Sequence, residues 1–354
     1  MPITTHEELR KHIELAIKVE LTTIPPYLFA MYSIEDQLSE PALLIRSIVA
    51  EEMLHAALAS NLLLAVGGRP DFKSTRYIPV FPADLPHHVP PLTIDLARCS
   101  LEMIEDVFMR IEQPEARGAP AQPDEYETLG QFYHALEIGL QELSESVDLF
   151  AKPALDSQMS DPSFYNPVRF DAEDSGGLML IDGLESAIEA IEIIIHQGEG
   201  LSDDRWADPD HQELTHYYKL ERILGGDSQL GTVRPLRPNP TSDSYPRHIG
   251  VVADLFNACY RYLYFVMDRM FSDDPAKSSH VGRLYRLMTG PMSQLALWLA
   301  AQPLADGDHA APTFEVFEFQ TNDPTQEVRA LADEAEEAHA ELAPIIESAR
   351  AAVS

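Results

Sequence analysis

The same short pattern, Glu-x-x-His, occurs twice in this 354-residue chain, at Glu52–His55 and at Glu213–His216. Both copies lie in segments whose apolar residues have helical spacing. Residues three apart share one face of an α-helix, so the two side chains of each copy can bind one ion together. Two such helices, with one Glu from each of two further helices, form the dinuclear carboxylate site of four-helix bundles. The repeat therefore predicts a helical bundle with an internal metal site.

Two observations favour an internal position over a solvated helix face. His55 lies on an apolar stripe of its predicted helix, and Glu20 interrupts the apolar face of the preceding helix between Ile17 and Ile24. A buried carboxylate is costly unless it is paired or bound to a metal. The metal ligands predicted from these three helices are Glu20, Glu52, His55, Glu213 and His216.

The carboxylate expected from the fourth helix has several candidates. Polar residues form a stripe along the helix predicted at 178–197 and past its end. Glu185 and Glu189, in the first half, are interpreted as an exposed face. A hairpin to the next helix brings the end of the stripe closest to Glu213. The candidates there are Glu199, as the first choice, and Glu192 and His196, as the alternatives.

Tyrosines near the predicted ligands are candidates for catalysis. Tyr27 and Tyr217 could act as radical or hydrogen-bonding groups, although packing in the core is the more common role of such residues. We expect the substrate to enter an apolar cleft lined by these two tyrosines and Met31. Three further acids are interpreted as parts of exposed helix faces: Glu102, Glu105 and Glu137.

Helical periodicity dominates the chain, which predicts an all-α fold. The first helix covers Ile13 to Met31 with a kink at Pro25 and Pro26, and the second begins at Ser39 and ends at Gly67. Six prolines between residues 70 and 91 exclude a helix there. Further helices are predicted at about 92–112, 126–151, 178–197, 208–224, 249–271, 280–301 and 324–352, with one short strand at 313–320.

The charge balance excludes several classes of partner. The chain has 58 acidic and 25 basic residues, for a net charge of −33. Such a surface disfavours nucleic acid and anionic membranes. Cys99 and Cys259 form no paired motif, so neither a disulfide scaffold nor a thiolate metal site is indicated. With a polar N-terminus and no run of about 18 apolar residues, we expect a cytoplasmic protein.

The runs around the predicted ligands are more specific than the ligands alone. They are VELTTIPPYL at 19–28, EEMLH at 51–55, NLLLAVGG at 61–68, QGEG at 197–200 and HYY at 216–218. Over about residues 8–225, the chain resembles the ferritin-like domain of the iminophenyl-pyruvate dimer synthases. These enzymes act beside amino-acid oxidases in violacein and indolocarbazole biosynthesis.

This resemblance implies a ferritin-like four-helix bundle with additional C-terminal helices and long Pro-rich loops. We expect the metal-binding bundle at 1–226 and a C-terminal helical extension, packed on it, at 227–354. His196 stands where an acidic residue is expected, and the chain is much shorter than the pathway enzymes. The resemblance places five residues at metal-facing positions: Glu20, Glu52, His55, Glu199 and His216.

The resulting hypothesis is a dinuclear non-haem metal oxidase or oxygenase. Two ions, iron or manganese, would act with O₂ or peroxide on a small, amino-acid-derived aromatic metabolite. Glu52 and Glu213 are the candidate bridges, His55 and His216 terminate the two ions, and the remaining outer positions fall to Glu20 and Glu199. The alternatives are a non-catalytic metal-binding or storage protein and a metal-free bundle. The apolar C-terminal helices could form a homodimer interface.

Overall fold

The computed structural model describes residues 2–116, 118–165, 176–198 and 215–354. Helix α1 (His6–Ser33) begins with a capping box, in which the Thr5 hydroxyl accepts from the Glu8 N–H and the Glu8 carboxylate accepts from the Thr5 N–H. The helix starts earlier than expected and continues through both prolines. Its buried face extends over most of its length.

Helix α2 (Glu40–Ala65) follows the N-cap residue Ser39, with proline in its first turn, as predicted. It ends before Gly67, whose φ of 75° is left-handed and favours glycine. By length and composition α2 could span a membrane, but 89% of its most apolar 18-residue window is buried inside the protein. It is therefore a core helix of this fold.

The remaining elements follow in chain order. A small antiparallel sheet is formed by β1 (Ala83–Asp84) and β2 (Thr93–Ile94). The next helices are α3 (Leu101–Met103), a π-helix (Ile104–Phe108), α4 (Met109–Ile111), α5 (Leu129–Ser144), α6 (Leu184–Gly198) and α7 (His216–Leu224). The C-terminal part contains a 3₁₀-helix (Ser242–Ser244), α8 (Arg247–Met270), α9 (Lys277–Leu287), a π-helix (Met288–Met292), α10 (Ser293–Ala300), α11 (Pro324–Ala338), a 3₁₀-helix (Ala340–Leu342) and α12 (Ala343–Ala352).

Four helices enclose the bundle core. Helix α1 contacts α2 and α5, and α6 contacts the same two helices, which gives the cyclic order α1, α2, α6, α5. Helix α7 packs against α2, α6 and the first π-helix. In the C-terminal part, α8 contacts α9, α10 and α11, and α10 also contacts α1. Buried apolar residues of both parts form one continuous cluster.

Three elements differ from the sequence-based expectation. The strand predicted at 313–320 is wrong, because the α8 side chain Asn257 bonds to the Thr313 hydroxyl at 2.7 Å and the Glu315 N–H at 3.1 Å. The helix predicted at 324–352 breaks at His339, and α12 begins at Ala343 with Pro344 in its first turn. The helix predicted from residue 92 starts at Leu101, where Ser100 caps it, since the preceding residues form β2.

Candidate metal centre

Helices α1 and α2 bring together a first group of possible metal ligands. One ligand atom from each of Glu20, Glu52 and His55 lies within 4.8 Å of the others. His55 Nδ1 is 3.3 Å from Glu20 Oε2. All three side chains are buried, which agrees with their predicted inward orientation.

A second group lies beside the first and consists of Glu52, Glu112 and His216. His216 Nδ1 is 3.1 Å from Glu52 Oε1 and 3.2 Å from Glu112 Oε2. The imidazole rings of His55 and His216 are stacked with their centres 5.4 Å apart. Glu52 belongs to both groups, so it is the candidate bridge that the structure leaves in place, and its role as a bridge stays a prediction.

Glu112 was not predicted from the sequence. It directly follows α4 and is buried, whereas Glu102 and Glu105 are exposed on the same segment. The π-helix Ile104–Phe108 explains the omission, because its wider turn shifts every later residue around the axis relative to α-helical spacing. Alongside Glu20, Glu112 is the second carboxylate of the two groups that lies outside a Glu-x-x-His pattern.

The other predicted ligands are placed differently. Glu192 is exposed on α6, whose inner face at this level is formed by Ile191 and Ile194, so the structure does not place Glu192 at the centre. His196 is half-buried and belongs to neither group of possible ligands among the described residues. Glu199 and Glu213 lie outside the described residues, and their roles stay predictions.

Helix α6 instead contributes a neutral side chain. Gln197 is buried, and its Oε1 lies 3.0 Å from His55 Nε2. This contact leaves the opposite ring nitrogen of His55 facing Glu20. Fixing one imidazole nitrogen by a hydrogen bond orients the other toward a metal.

A hydroxyl donor holds one oxygen of each clustered carboxylate. Tyr133 donates to Glu20 Oε1, Thr23 to Glu52 Oε2 and Tyr27 to Glu112 Oε1. The other oxygen of each carboxylate lies beside a histidine. Tyr133 and Thr23 were not singled out from the sequence, whereas Tyr27 was, and its hydroxyl contacts Glu112. The three hydroxyls orient the second oxygens toward the interior of the site.

His216 is held from its other side by Glu51, whose Oε2 lies 3.1 Å from His216 Nε2. The fully buried ammonium of Lys219 donates to the same carboxylate oxygen. Lys219, one turn after His216, therefore supplies a cation that compensates Glu51. This second layer fixes the imidazole with Nδ1 toward Glu52 and Glu112.

The electrostatics of the centre indicate an excess of negative charge. Burial raises the pKa of Glu52 to about 7, and the charge of Glu20 adds to this effect. Burial acts to lower the pKa of His216, but the charge and hydrogen bond of Glu112 outweigh it and raise the pKa well above its usual value. For His55, burial is likewise outweighed by Glu20, and its pKa is raised. Such a cluster favours bound cations.

The donor set and the available space both fit metal ions. Carboxylate oxygens and imidazole nitrogens suit iron or manganese. A void of about 20 Å³ lies among Glu20, Glu52, His55 and Glu112. A water molecule needs roughly 10–15 Å³ by the same measure, so this void has the size of a small ion or water.

The remaining predicted aromatic residues lie elsewhere. Tyr217 is half-buried and packs edge-to-face against Tyr218, with ring centres 5.3 Å apart. Met31 lines a separate cavity between α1 and the C-terminal helices. The expected cleft formed by Tyr27, Met31 and Tyr217 is therefore not a single site among the described residues.

Comparisons with known proteins agree with this architecture. A model of the Ferritin-like family matches residues 13–225. Dichlorochromopyrrolate synthase from Lentzea aerocolonigenes is 24% identical, over 90% of this chain and 36% of that enzyme. This chain thus spans little more than a third of the length of that relative. The match itself confirms the predicted resemblance to the dimer synthases.

The fold is also found in a solved structure. The crystal structure of a ferritin like protein from Caulobacter vibrioides matches with a TM-score of 0.59 and 25% identity. The match covers 84% of this chain and 98% of that one. Residues 13–225, which the family model matches, include all members of the two ligand groups. This chain belongs to the ferritin-like family.

Proposed function

We propose that this protein is a dinuclear non-haem metal oxidase or oxygenase. The observation that carries the proposal is the pair of buried ligand groups that share Glu52. Glu20 and His55 would hold one ion, and Glu112 and His216 the other, with Glu52 between them. Iron is the proposed metal, with manganese as the alternative.

Two bound ions of this type supply redox chemistry toward O₂ or peroxide. The protein's own contribution is the positioning of the ligands. Tyr27, Thr23 and Tyr133 each hold one carboxylate oxygen, so the other oxygen faces the site. Burial and the charge of Glu112 raise the pKa of Tyr27 well above its usual value, so its hydroxyl remains protonated and acts as a donor.

The proposed substrate is a small aromatic metabolite derived from an amino acid. This assignment is supported by the relationship to dichlorochromopyrrolate synthase. Tyr27 is the proposed catalytic residue nearest the ligands, and Tyr217 is retained as a second candidate on α7.

A non-catalytic metal-binding protein is the second candidate, and one observation favours it. The void among the candidate ligands has a volume of only about 20 Å³. As bounded by the described residues, it is too small for a metabolite. A site of this size accommodates ions without a metabolite. A measurement of oxygen consumption with and without substrate therefore distinguishes a storage protein from an enzyme.

Two measurements test the proposal in sequence. Elemental analysis of protein purified without added metal should find about two iron or manganese ions per chain. Glu52→Ala and His55→Ala should lose them. Absence of metal in a folded wild-type protein would contradict both candidate functions.

Oxygen consumption then separates an enzyme from a store. The reduced, metal-loaded protein is mixed with a fresh solution of an aromatic 2-imino acid, which an amino-acid oxidase has generated beforehand and from which the oxidase has been removed by filtration. Substrate-dependent oxygen uptake and a coupled product support the enzyme. Oxygen uptake that is independent of substrate and stops when the metal is oxidised supports metal storage.

A further inference from the structure

A second cavity of about 630 Å³ lies between the bundle and the C-terminal extension. Helices α1 and α2 form one wall, and α8, α9 and the second π-helix form the other. Small-molecule sites usually have volumes of about 300–1,000 Å³ and apolar walls with few polar groups. Six of the chain's 11 methionines line this cavity: Met31, Met53, Met267, Met270, Met288 and Met292.

The cavity is distinct from the metal centre. None of the residues that line it belongs to either ligand group. On α1, Leu21 and Leu28 face the cavity, while Glu20 and Tyr27 face the ligands. Helices α1 and α2 thus carry two sites on different faces.

The cavity walls are mostly apolar and contain flexible side chains. Methionine is unbranched and flexible, so a methionine-rich wall fits ligands of varied shape. The hydroxyls of Tyr260 and Tyr264, which also line the cavity, bond to each other at 3.1 Å. Each of these two hydroxyls thus has one hydrogen-bond partner within the protein. The body of the cavity therefore suits a hydrocarbon chain or ring.

One end of the cavity carries the only charged side chain among its described lining residues, Arg46. This arginine is exposed on α2 and donates to the Gln37 carbonyl at 3.2 Å. Among the described residues, no carboxylate lies within 4.0 Å of its guanidinium, although acids outnumber bases 58 to 25 in the chain. Tyr32 and Ser293 line the same cavity, and the charge of Arg46 acts on the hydroxyl of Tyr32.

We propose that this cavity binds an apolar monocarboxylate. Its carboxylate lies at Arg46, near the hydroxyls of Tyr32 and Ser293, and its hydrocarbon body lies among the methionines. The net charge of −33 disfavours anions over the surface as a whole. A preference for an anionic ligand over its neutral analogue must therefore come from a local cation, which Arg46 provides.

Calorimetric titration of the full chain with decanoate and decan-1-ol, both below their aggregation limits, tests this proposal. We expect saturable binding of decanoate at one site, tighter than binding of decan-1-ol. Arg46→Gln should weaken decanoate binding about tenfold and leave decan-1-ol nearly unchanged, since a charged hydrogen-bond partner is lost. Arg286→Gln, an equal charge change at an exposed α9 residue outside the cavity, is the matched control and should have no effect.

Ala50→Trp tests the location independently, because Ala50 lines the cavity from α2 and the indole of a tryptophan there would project into the space proposed for the hydrocarbon body. This variant should lose both ligands while its circular dichroism spectrum and metal content stay those of the wild type. The proposal is overturned if the wild type binds neither ligand, if Arg46→Gln binds decanoate as tightly as the wild type, or if the folded Ala50→Trp variant still binds both.

Discussion

His216 Nδ1 lies 3.1 Å from the carboxylate of Glu52, and that carboxylate also belongs to the ligand group of His55. His216, the first residue of α7, therefore contacts a carboxylate of α2 that is also a member of the first ligand group. A carboxylate in this position can bind two ions at once, which neither Glu20 nor Glu112 can do in this arrangement. The two-ion account therefore depends on Glu52.

Substitution of this shared carboxylate should affect both ions. Glu52→Gln keeps the shape of the side chain but removes its charge and one anionic oxygen. We expect the metal content to fall from about two ions per chain to less than one. Elemental analysis checks this result, with Glu192→Gln as the control, because Glu192 is exposed on α6. Equal metal content in Glu52→Gln and wild type would exclude the shared ligand.

Removal of the tyrosine hydroxyls should lower the affinity for metal without abolishing metal binding. Tyr27→Phe removes the donor to Glu112 Oε1, and Tyr133→Phe removes the donor to Glu20 Oε1. Loss of such outer partners typically costs about 10–100-fold in metal affinity. Competition with a coloured chelator measures this change. Tyr217→Phe, on the half-buried tyrosine of α7, should bind metal as the wild type does.

The metal-free protein should lose stability as the pH rises from about 5 to 8. Glu52 has a pKa of about 7 when folded, raised by burial, so between its usual value and 7 the folded state binds more protons than the unfolded state. The raised pKa values of His55 and His216 act in the same direction, since their stabilisation is present below their usual value and is lost through the folded pKa.

Thermal unfolding of chelator-treated protein across this pH range measures the trend. Metal-free Glu52→Gln should show a shallower decline than the wild type, because one of the three titrating groups is absent. A wild-type melting temperature that increases steadily over the same range would contradict the charge excess inferred for the centre.

The buried Lys219 should be important for stability. Lys219→Met removes the ammonium that donates to Glu51, and removal of one partner of a buried ion pair typically costs about 3–5 kcal/mol. Urea unfolding of the metal-free variant measures this loss. The double variant Glu51→Gln/Lys219→Met should recover most of it, because no buried carboxylate then lacks its cation. Equal stability of the single and double variants would argue against the pair.

Sequence reasoning identified those candidate ligands whose position follows from α-helical spacing. Glu20, Glu52 and His55 lie on regular helices whose apolar stripes point to the core, and the structure brings them together. His216 was found through its repeat of the Glu-x-x-His pattern. The same spacing could not predict Glu112, because a π-helix changes the periodicity just before it.

The contacts made between distant segments were also beyond sequence reasoning. The polar stripe of α6 indicated Glu192, but burial depends on the orientation of the whole helix, which turns Gln197 inward and Glu192 outward. The hydroxyls of Thr23 and Tyr133 carry no motif that distinguishes them from core residues. Their roles follow only from contacts between α1, α2 and α5.

The most direct test of the central claim is an anomalous-scattering map of crystals grown from protein purified without added metal, recorded above and below the iron absorption edge. The account predicts two peaks, one beside Glu20 and His55 and one beside Glu112 and His216, with the Glu52 carboxylate between them. The absence of any peak at these residues, or a single peak not bound by Glu52, would contradict it.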